Sequence, residues 1–380
     1  MDNLHRNVYC GEKEMSKNDG NGKRLLITGG CGFIGTNLAE YFAQRGWTVT
    51  VLDNLSRKGA VENLLWLREQ YPQIRFVHAD IRTDHQLLRT EVAATDAVFH
   101  LASQVAVTTS FKNPREDCEI NAIGTLNLLE AIRAAGVNPT FLYASTNKVY
   151  GGMEDVAVEL QGTRYRYRDL PRGIPESRFL DFHSPYGCSK GAGDQYTRDY
   201  ARVYGLNTVV MRQSCIYGPR QYGITDQGWV CWFMVAACGG QPITIYGDGK
   251  QVRDILYSSD LARAYELAVE KIAQVRGQIF NIGGGAENTL SILELIHYLE
   301  AKLGRPIPHS FDQWRPGDQP CYVSDIQKAK AVLGWEPTVG KEEGLEKLVS
   351  WVQEHLDEFL RLEILRTPVR EVTRAAVPAS

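Results

Sequence analysis

The sequence predicts an α/β chain built on a doubly wound parallel sheet of the Rossmann type, with a smaller C-terminal substrate-binding lobe. Three observations predict it. A short apolar run over 23–28 leads straight into a glycine-rich turn and a helical pattern. Strand and helix patterns then alternate as far as Arg212, the mark of parallel strands joined by helical crossovers. Beyond Arg212 the alternation loosens into turns and separate helices, which predicts a second lobe.

The first strand, 23–28, is followed by Gly29-Gly30-Cys31-Gly32-Phe33-Ile34-Gly35 and a helical stretch from Thr36. The run fits Gly-x-x-Gly-x-x-Gly from Gly29 and Gly-x-Gly-x-x-Gly from Gly30. Glycines let the backbone turn tightly and approach a pyrophosphate, whose charge then sits at the helix N-terminus. The second strand, 48–52, ends at Asp53, about 20 residues beyond the turn, where an acid binds the adenosine ribose hydroxyls. An acid there repels a 2′-phosphate, so the predicted cofactor is NAD. Arg57, close behind, reads as a solvated loop charge. Further strands are predicted at 74–79, 97–101, 140–144 and 208–211, with helices over 120–135 and 189–204. Asp80 resembles the position that meets the adenine, with Asn54 and Ile81 beside it as candidates. Leu101, Ala102 and Gln104 are candidates to line the cofactor channel; the competing reading of these strand ends is simple capping.

The later pattern has turns at Tyr217-Gly218-Pro219-Arg220 and Gly239-Gly240-Gln241-Pro242, then helices over 259–270, 291–303 and 342–354. The expected organisation is a flexible N-terminal extension over 1–22 and an NAD-binding domain over 23–214 to which 251–284 returns. A sugar-binding lobe follows over 215–250 and 285–357, and then a flexible tail over 366–380.

With 380 residues, 43% of them hydrophobic, the chain is long enough to bury a large core. Acids and bases nearly balance, for a net charge of -3, and no basic block stands out. Nucleic-acid and membrane-surface binding are therefore disfavoured. No apolar run approaches a membrane span and the N-terminus is too polar for a signal peptide, so a cytoplasmic location is expected. The eight cysteines and eight histidines show no paired spacing. They read as reduced thiols and as core or surface imidazoles, with no metal site.

The catalytic signal is Tyr186 followed one helical turn later by Lys190, with Ser145-Thr146 upstream. A phenol titrates near pH 10, so it acts as a base near neutrality only where a cation and a hydroxyl donor stabilise the phenolate. Lys190 supplies the cation.

Gly29-x-x-Gly32-x-x-Gly35, Asp53, Ser145-Thr146-x-x-Val149-Tyr150-Gly151, Tyr186-x-x-x-Lys190 and Tyr246-Gly247-Asp248-Gly249-x-Gln251-x-Arg253-Asp254 together resemble the extended short-chain dehydrogenase/reductases that act on nucleotide sugars. The likeness covers about residues 23 to 355. It implies NAD held tightly and recycled at each turnover, and a nucleotide-diphosphate sugar as partner. It assigns Tyr186 as base and has Lys190 also hold the nicotinamide ribose, while Thr146 hydrogen-bonds the reacting sugar oxygen. Arg253 and Arg315 match positions that grip the diphosphate, which suits the planar guanidinium fork. The competing reading makes them surface arginines paired with Asp254 and Asp318.

Related 4,6-dehydratases carry an Asp-Glu pair directly after this threonine; here the positions are Asn147-Lys148, so elimination lacks its acid and base. The run from Ser145 to Gly151, the segment 180–186, and Asp226-Gln227-Gly228-Trp229-Val230 followed by Trp232-Phe233 are most similar to the CDP-paratose (CDP-tyvelose) 2-epimerases. Asn147, Lys148, His183 and Gln104 become candidate sugar contacts, and Tyr246 a candidate near the base. Two rivals remain open: a C4 epimerase using the same Thr146, Tyr186 and Lys190, and a non-catalytic NAD-sensing module. By the same resemblance the helices at 120–135 and 189–204 pair across a dimer axis, so a homodimer or homotetramer is expected.

Overall fold

A computed structural model describes residues 22–224, 227–315 and 317–365. The predicted extension and tail, Asp226 and Pro316 lie outside the described residues, apart from Gly22.

Seven strands form the central sheet: β1 Arg24–Thr28, β2 Thr48–Asp53, β3 Arg75–His78, β4 Ala97–His100, β5 Thr140–Thr146, β6 Thr208–Gln213 and β7 Ile279–Ile282. Their spatial order is β7-β6-β5-β4-β1-β2-β3, and every pairing is parallel. Helices cover both faces, so the inner strands are apolar without alternation; Leu25, Leu26 and Ile27 are each buried to within 1%. The order reverses between β1 and β4, and the crevice beyond the strand ends at such a reversal is where this architecture takes its ligands.

Two predicted helices differ from expectation. The one expected at 189–204 runs over Ser184–Tyr204, because Pro185 lies in its first turn, where no amide donor is needed, and Ser184 Oγ accepts a 3.1 Å bond from the Gly187 amide. Tyr186 and Lys190 therefore share one helix and one face. The one expected at 120–135 is split: a π-turn, Glu119–Ile123, precedes the α-helix Gly124–Ala135. Within that turn the Asn121 side chain bonds with Gln104 and Ser189 in the interior.

β7 carries no strand signal of its own, since Asn281 interrupts a four-residue run. Its polarity is used inside: Asn281, fully buried, accepts from Tyr150 Oη at 2.7 Å and donates to Ile174 O at 2.8 Å. A hairpin of Val158–Gln161 with Arg164–Tyr167 also went unpredicted.

The second core gathers around the helices Trp229–Cys238, Ile292–Leu303 and Lys341–Glu354, with Met234, Leu295 and Leu348 fully buried. A three-stranded ribbon, Thr289–Ser291, Val252–Asp254 and Cys321–Tyr322, brings Arg253 to the wall facing β5.

Candidate active site

One cleft of about 570 Å³ lies between the strand reversal and the second lobe. Its dinucleotide half starts at the glycine turn. Gly29 holds φ +69°, and a Cβ there would stand 2.6 Å from the Ala102 amide; one at Gly35 would stand 2.3 Å from the Gly29 carbonyl. Any side chain at either position collides with backbone. A Cβ on Gly32 would meet only the Gly29 carbonyl, at 3.2 Å, so the space before the helix Phe33–Ala43 is open for an anion.

Asp53 is held at the rim, accepting from the Cys31 amide at 3.0 Å and the Leu55 amide at 2.8 Å. Burial raises its pKa, and those amide bonds oppose the rise. Asn54 donates to Asp80 at 3.0 Å, and the Arg82 guanidinium holds the Asp80 carboxyl down to about 2. Phe33, Ile34, Asn54, Asp80, Ile81, Leu101 and Ala102 all line this half. Asn63 lines it too, with a buried carbonyl oxygen that has no partner in the protein. The open helix end, the Asp53 carboxylate at the rim and the unpartnered Asn63 oxygen fit a dinucleotide.

Gln104 does not belong to this half. Its amide is consumed internally, donating to Asp117 and the Ala106 carbonyl at 2.8 Å each and accepting from the Ala106 amide. Expected as a cofactor or sugar contact, it instead braces Asp117.

At the cleft centre, β5 delivers two hydroxyls to different tasks. Ser145 Oγ donates to buried Asp194 at 2.7 Å and serves the framework. Thr146 accepts from the Lys148 amide at 3.2 Å, donates towards Asn147 Oδ1 at 3.3 Å and hydrogen-bonds Tyr186. The helix Ser184–Tyr204 supplies Tyr186 and Lys190, which are 8% and 3% exposed. Burial pushes the phenol up to about 12, with the Thr146 hydrogen bond opposing and Asp117 adding to the rise. Burial also brings Lys190 down to about 7, against the pull of Asp117 and Asp194. Its ammonium lies 4.4 Å from the Tyr143 ring centre. Ser184 at φ +67°, two residues before Tyr186, and Cys215 at φ +27°, on the cleft wall, hold unusual backbone geometry, the kind of strain that collects at working sites.

The second lobe supplies the opposite wall. Arg253 lies 2.5 Å from Asp318 and donates to its neighbour's carbonyl, Val252 O, at 2.7 Å. Arg315 stacks over Tyr246, 4.1 Å from the ring centre. The expected alternative pairing of Arg253 with an acid thus does occur, with Asp318, yet the arginine still faces the cleft. Asn147, Lys148 and Tyr246 line the same space. His183 does not: its side chain is 45% exposed and points at Glu154 and Asp181, 4.0 and 3.8 Å away. Seven basic and three acidic side chains line the cleft of a chain whose net charge is -3, so the site is built for anions.

The GDP-mannose 4,6 dehydratase family profile matches residues 26–348. The chain belongs to this family. It is 48% identical over 334 residues to a CDP-paratose 2-epimerase of Salmonella typhi, covering 86% of this chain and 98% of that one. A solved UDP-glucose 4-epimerase of Thermotoga maritima, with UDP-glucose, superposes with a TM-score of 0.76 at 34% identity, covering 88% and 99%. A dTDP-glucose 4,6-dehydratase of Streptomyces venezuelae, solved with NAD, gives 0.76 at 31% identity, covering 89% and 99%. The expected extended short-chain dehydrogenase/reductase resemblance is therefore correct, and membership of this enzyme family sets aside the reading as a non-catalytic sensor.

Within this family frame the structure adds residues that sequence reasoning missed. Arg57 lines the cleft and donates across its mouth to Gln227, so it is more than a solvated loop charge. Thr108, Gln221 and Gln251 line the cleft with buried oxygens that find no partner in the protein. Gln251 was within reach of sequence reasoning, since it sits in the glycine-rich motif with Arg253. Thr108 and Gln221 carried no signal. Among the described residues no helix is long and apolar enough to cross a membrane, and the seven described cysteines are free.

Proposed function

We propose that the protein is an NAD-dependent nucleotide-sugar 2-epimerase acting on a CDP-hexose of the paratose type. The observation that carries this reading is the content of the cleft. Thr146, Tyr186 and Lys190 meet there beside Asn147 and Lys148, and the three acids lining it, Asp53, Asp80 and Asp318, lie at the cofactor rim or against Arg253. A dehydratase would need a carboxyl pair beside the threonine, which is absent. The 48% likeness to a CDP-paratose 2-epimerase supports C2 as the carbon and cytosine as the base.

Removing a C2 proton directly is disfavoured, because nothing next to that carbon stabilises the carbanion; oxidation first avoids the problem. NAD+, when bound, accepts a hydride from the sugar and can return it. Tyr186 takes the hydroxyl proton, leaving a 2-keto sugar, and gives it back after the sugar has turned its other face. Thr146 orients the sugar oxygen, and Lys190 favours the phenolate. Arg253 and Arg315 grip the diphosphate through both half-reactions. A C4 epimerase is the second reading, favoured by the likeness to the solved UDP-glucose 4-epimerase.

Substrate deuterated at C2 is expected to yield an epimer that keeps its label at C2, with no added NADH, while unlabelled substrate in D2O gains no carbon-bound deuterium. Solvent label at C2 rules out the oxidative route. Inversion at C4, seen by NMR across CDP-, UDP-, GDP-, ADP- and dTDP-hexoses, moves the enzyme to the second reading.

A homodimer or homotetramer is part of the proposal. The helix Ser184–Tyr204 leaves Tyr196, Val203 and Tyr204 46%, 60% and 52% exposed, an apolar stripe suited to a second copy. Light scattering at micromolar concentration should show at least a dimer, and a monomer there counts against it.

A further inference from the structure

Lys148 stands two residues beyond Thr146, in the short turn Asn147–Tyr150, and its own amide holds the Thr146 hydroxyl at 3.2 Å. Its side chain reaches across the cleft to the second lobe. The ammonium lies 3.4 Å from Gln319 Oε1, 3.5 Å from the Gly317 carbonyl and 4.0 Å from Asp318. All three contacts are at or beyond the outer limit of a hydrogen bond, so the ammonium has room for a closer acceptor. Asp318 is already taken, because Arg253 binds the same carboxylate oxygen at 2.5 Å. Two cations therefore share one carboxylate on a wall facing the catalytic threonine. Burial lowers the Lys148 pKa, and repulsion from Arg253 lowers it further. An anion between them relieves both costs.

Building on the C2 reading above, we propose that Lys148 is a specificity-determining residue. It holds the sugar-bearing phosphate of the nucleotide sugar next to Thr146, and so presents C2 rather than C4 to Tyr186. The reason is sugar geometry. C1 carries the phosphate; C2 is one bond from it, and C4 lies across the ring. A phosphate anchored only at Arg253 and Arg315 leaves the ring extended towards Tyr186, with its far edge leading. A cation beside Thr146 draws the phosphate end inward and sets the near edge against the base. Lysine suits this because its point charge takes one phosphate oxygen without demanding the two-pronged geometry of arginine.

The test is calorimetric titration of the NAD-loaded protein with the nucleoside diphosphate that the wild type binds best among the five common bases, and with its monophosphate. Lys148→Gln keeps a polar side chain and removes the charge. It is expected to weaken the diphosphate about tenfold or more, the scale of a charged hydrogen bond, and the monophosphate less than about twofold. Lys148→Arg should retain most of the diphosphate affinity, and NAD binding should be unchanged in both. With the nucleotide sugar, Lys148→Gln should lose C2 inversion and raise the share of sugar oxidised at C4. Equal weakening of mono- and diphosphate, or no weakening of either, overturns the assignment. Wild-type protein that inverts C4 sinks the underlying C2 reading instead, and that result appears before any variant is made.

Discussion

Tyr186→Phe is expected to lower turnover at least about a hundredfold, the lower end of what acid-base catalysis supplies, while leaving NAD bound. The substitution removes one oxygen and keeps the ring, which packs at 8% exposure in the first turn of its helix. The lost oxygen is the proton acceptor of the proposed mechanism. Burial pushes that phenol up to about 12, so it needs help to act near neutrality. Its hydrogen bond with Thr146 lowers its pKa, as does the positive charge of Arg57. Phenylalanine can accept no proton, whatever stabilises its surroundings. Steady-state kinetics and the amount of cofactor retained after gel filtration check this. Activity within a factor of three of the parent removes Tyr186 from the role of base, and loss of NAD would show instead that the variant had disturbed the cofactor site.

Asp194→Ala is expected to destabilise the fold by about 3–5 kcal/mol, the cost of stripping one partner from a buried ion pair. Asp194 and Arg212 face each other at 2.9 and 3.0 Å, with side chains 0% and 2% exposed. Asp194 also accepts from Ser145, tying β5 to the helix that carries Tyr186 and Lys190. Alanine leaves a guanidinium inside the protein without its carboxylate, beside Tyr150 Oη 3.1 Å away. Urea denaturation of both proteins measures the loss. Adding Arg212→Met to the variant should recover at least about half of it, because removing both charges ends the desolvation penalty that either one alone incurs. A single-variant loss below about 1 kcal/mol, the scale of an exposed pair, would mean the pair is solvated in solution.

What could be read from the sequence is what is carried by neighbours along the chain. The turn from Gly29 to Gly35 needs glycine because Gly29 and Gly35 each meet backbone at under 3 Å, a constraint met within a few residues and the facing strand end. Asp53 ends a strand whose length sets its place, and Tyr186 with Lys190 needs only one helical turn. Parallel strands alternating with helices imply the sheet, and the strand reversal implies the crevice. These features depend on backbone geometry and periodicity, so they survive without knowledge of any distant contact. The start of the catalytic helix at Ser184 depends on a local cap as well, though Pro185 disguised it.

Only the tertiary structure decided how distant side chains divide the polar work. Gln104 and Asn121 close on Asp117, which turned a predicted cofactor contact into a brace. His183, three residues before Tyr186, still swings outward to Glu154 and Asp181. Ser145 and Thr146 are adjacent and chemically alike, yet Asp194, 49 residues on, claims the first and leaves the second on the cleft wall. Lys148 meets Gln319 across 171 residues, and Arg253 reaches Asp318 across 65. The buried groups among these share one cause. A buried polar group must find a partner, and which partner it finds is settled by the packing of separate elements, whose outcome has no period and no spacing along the chain.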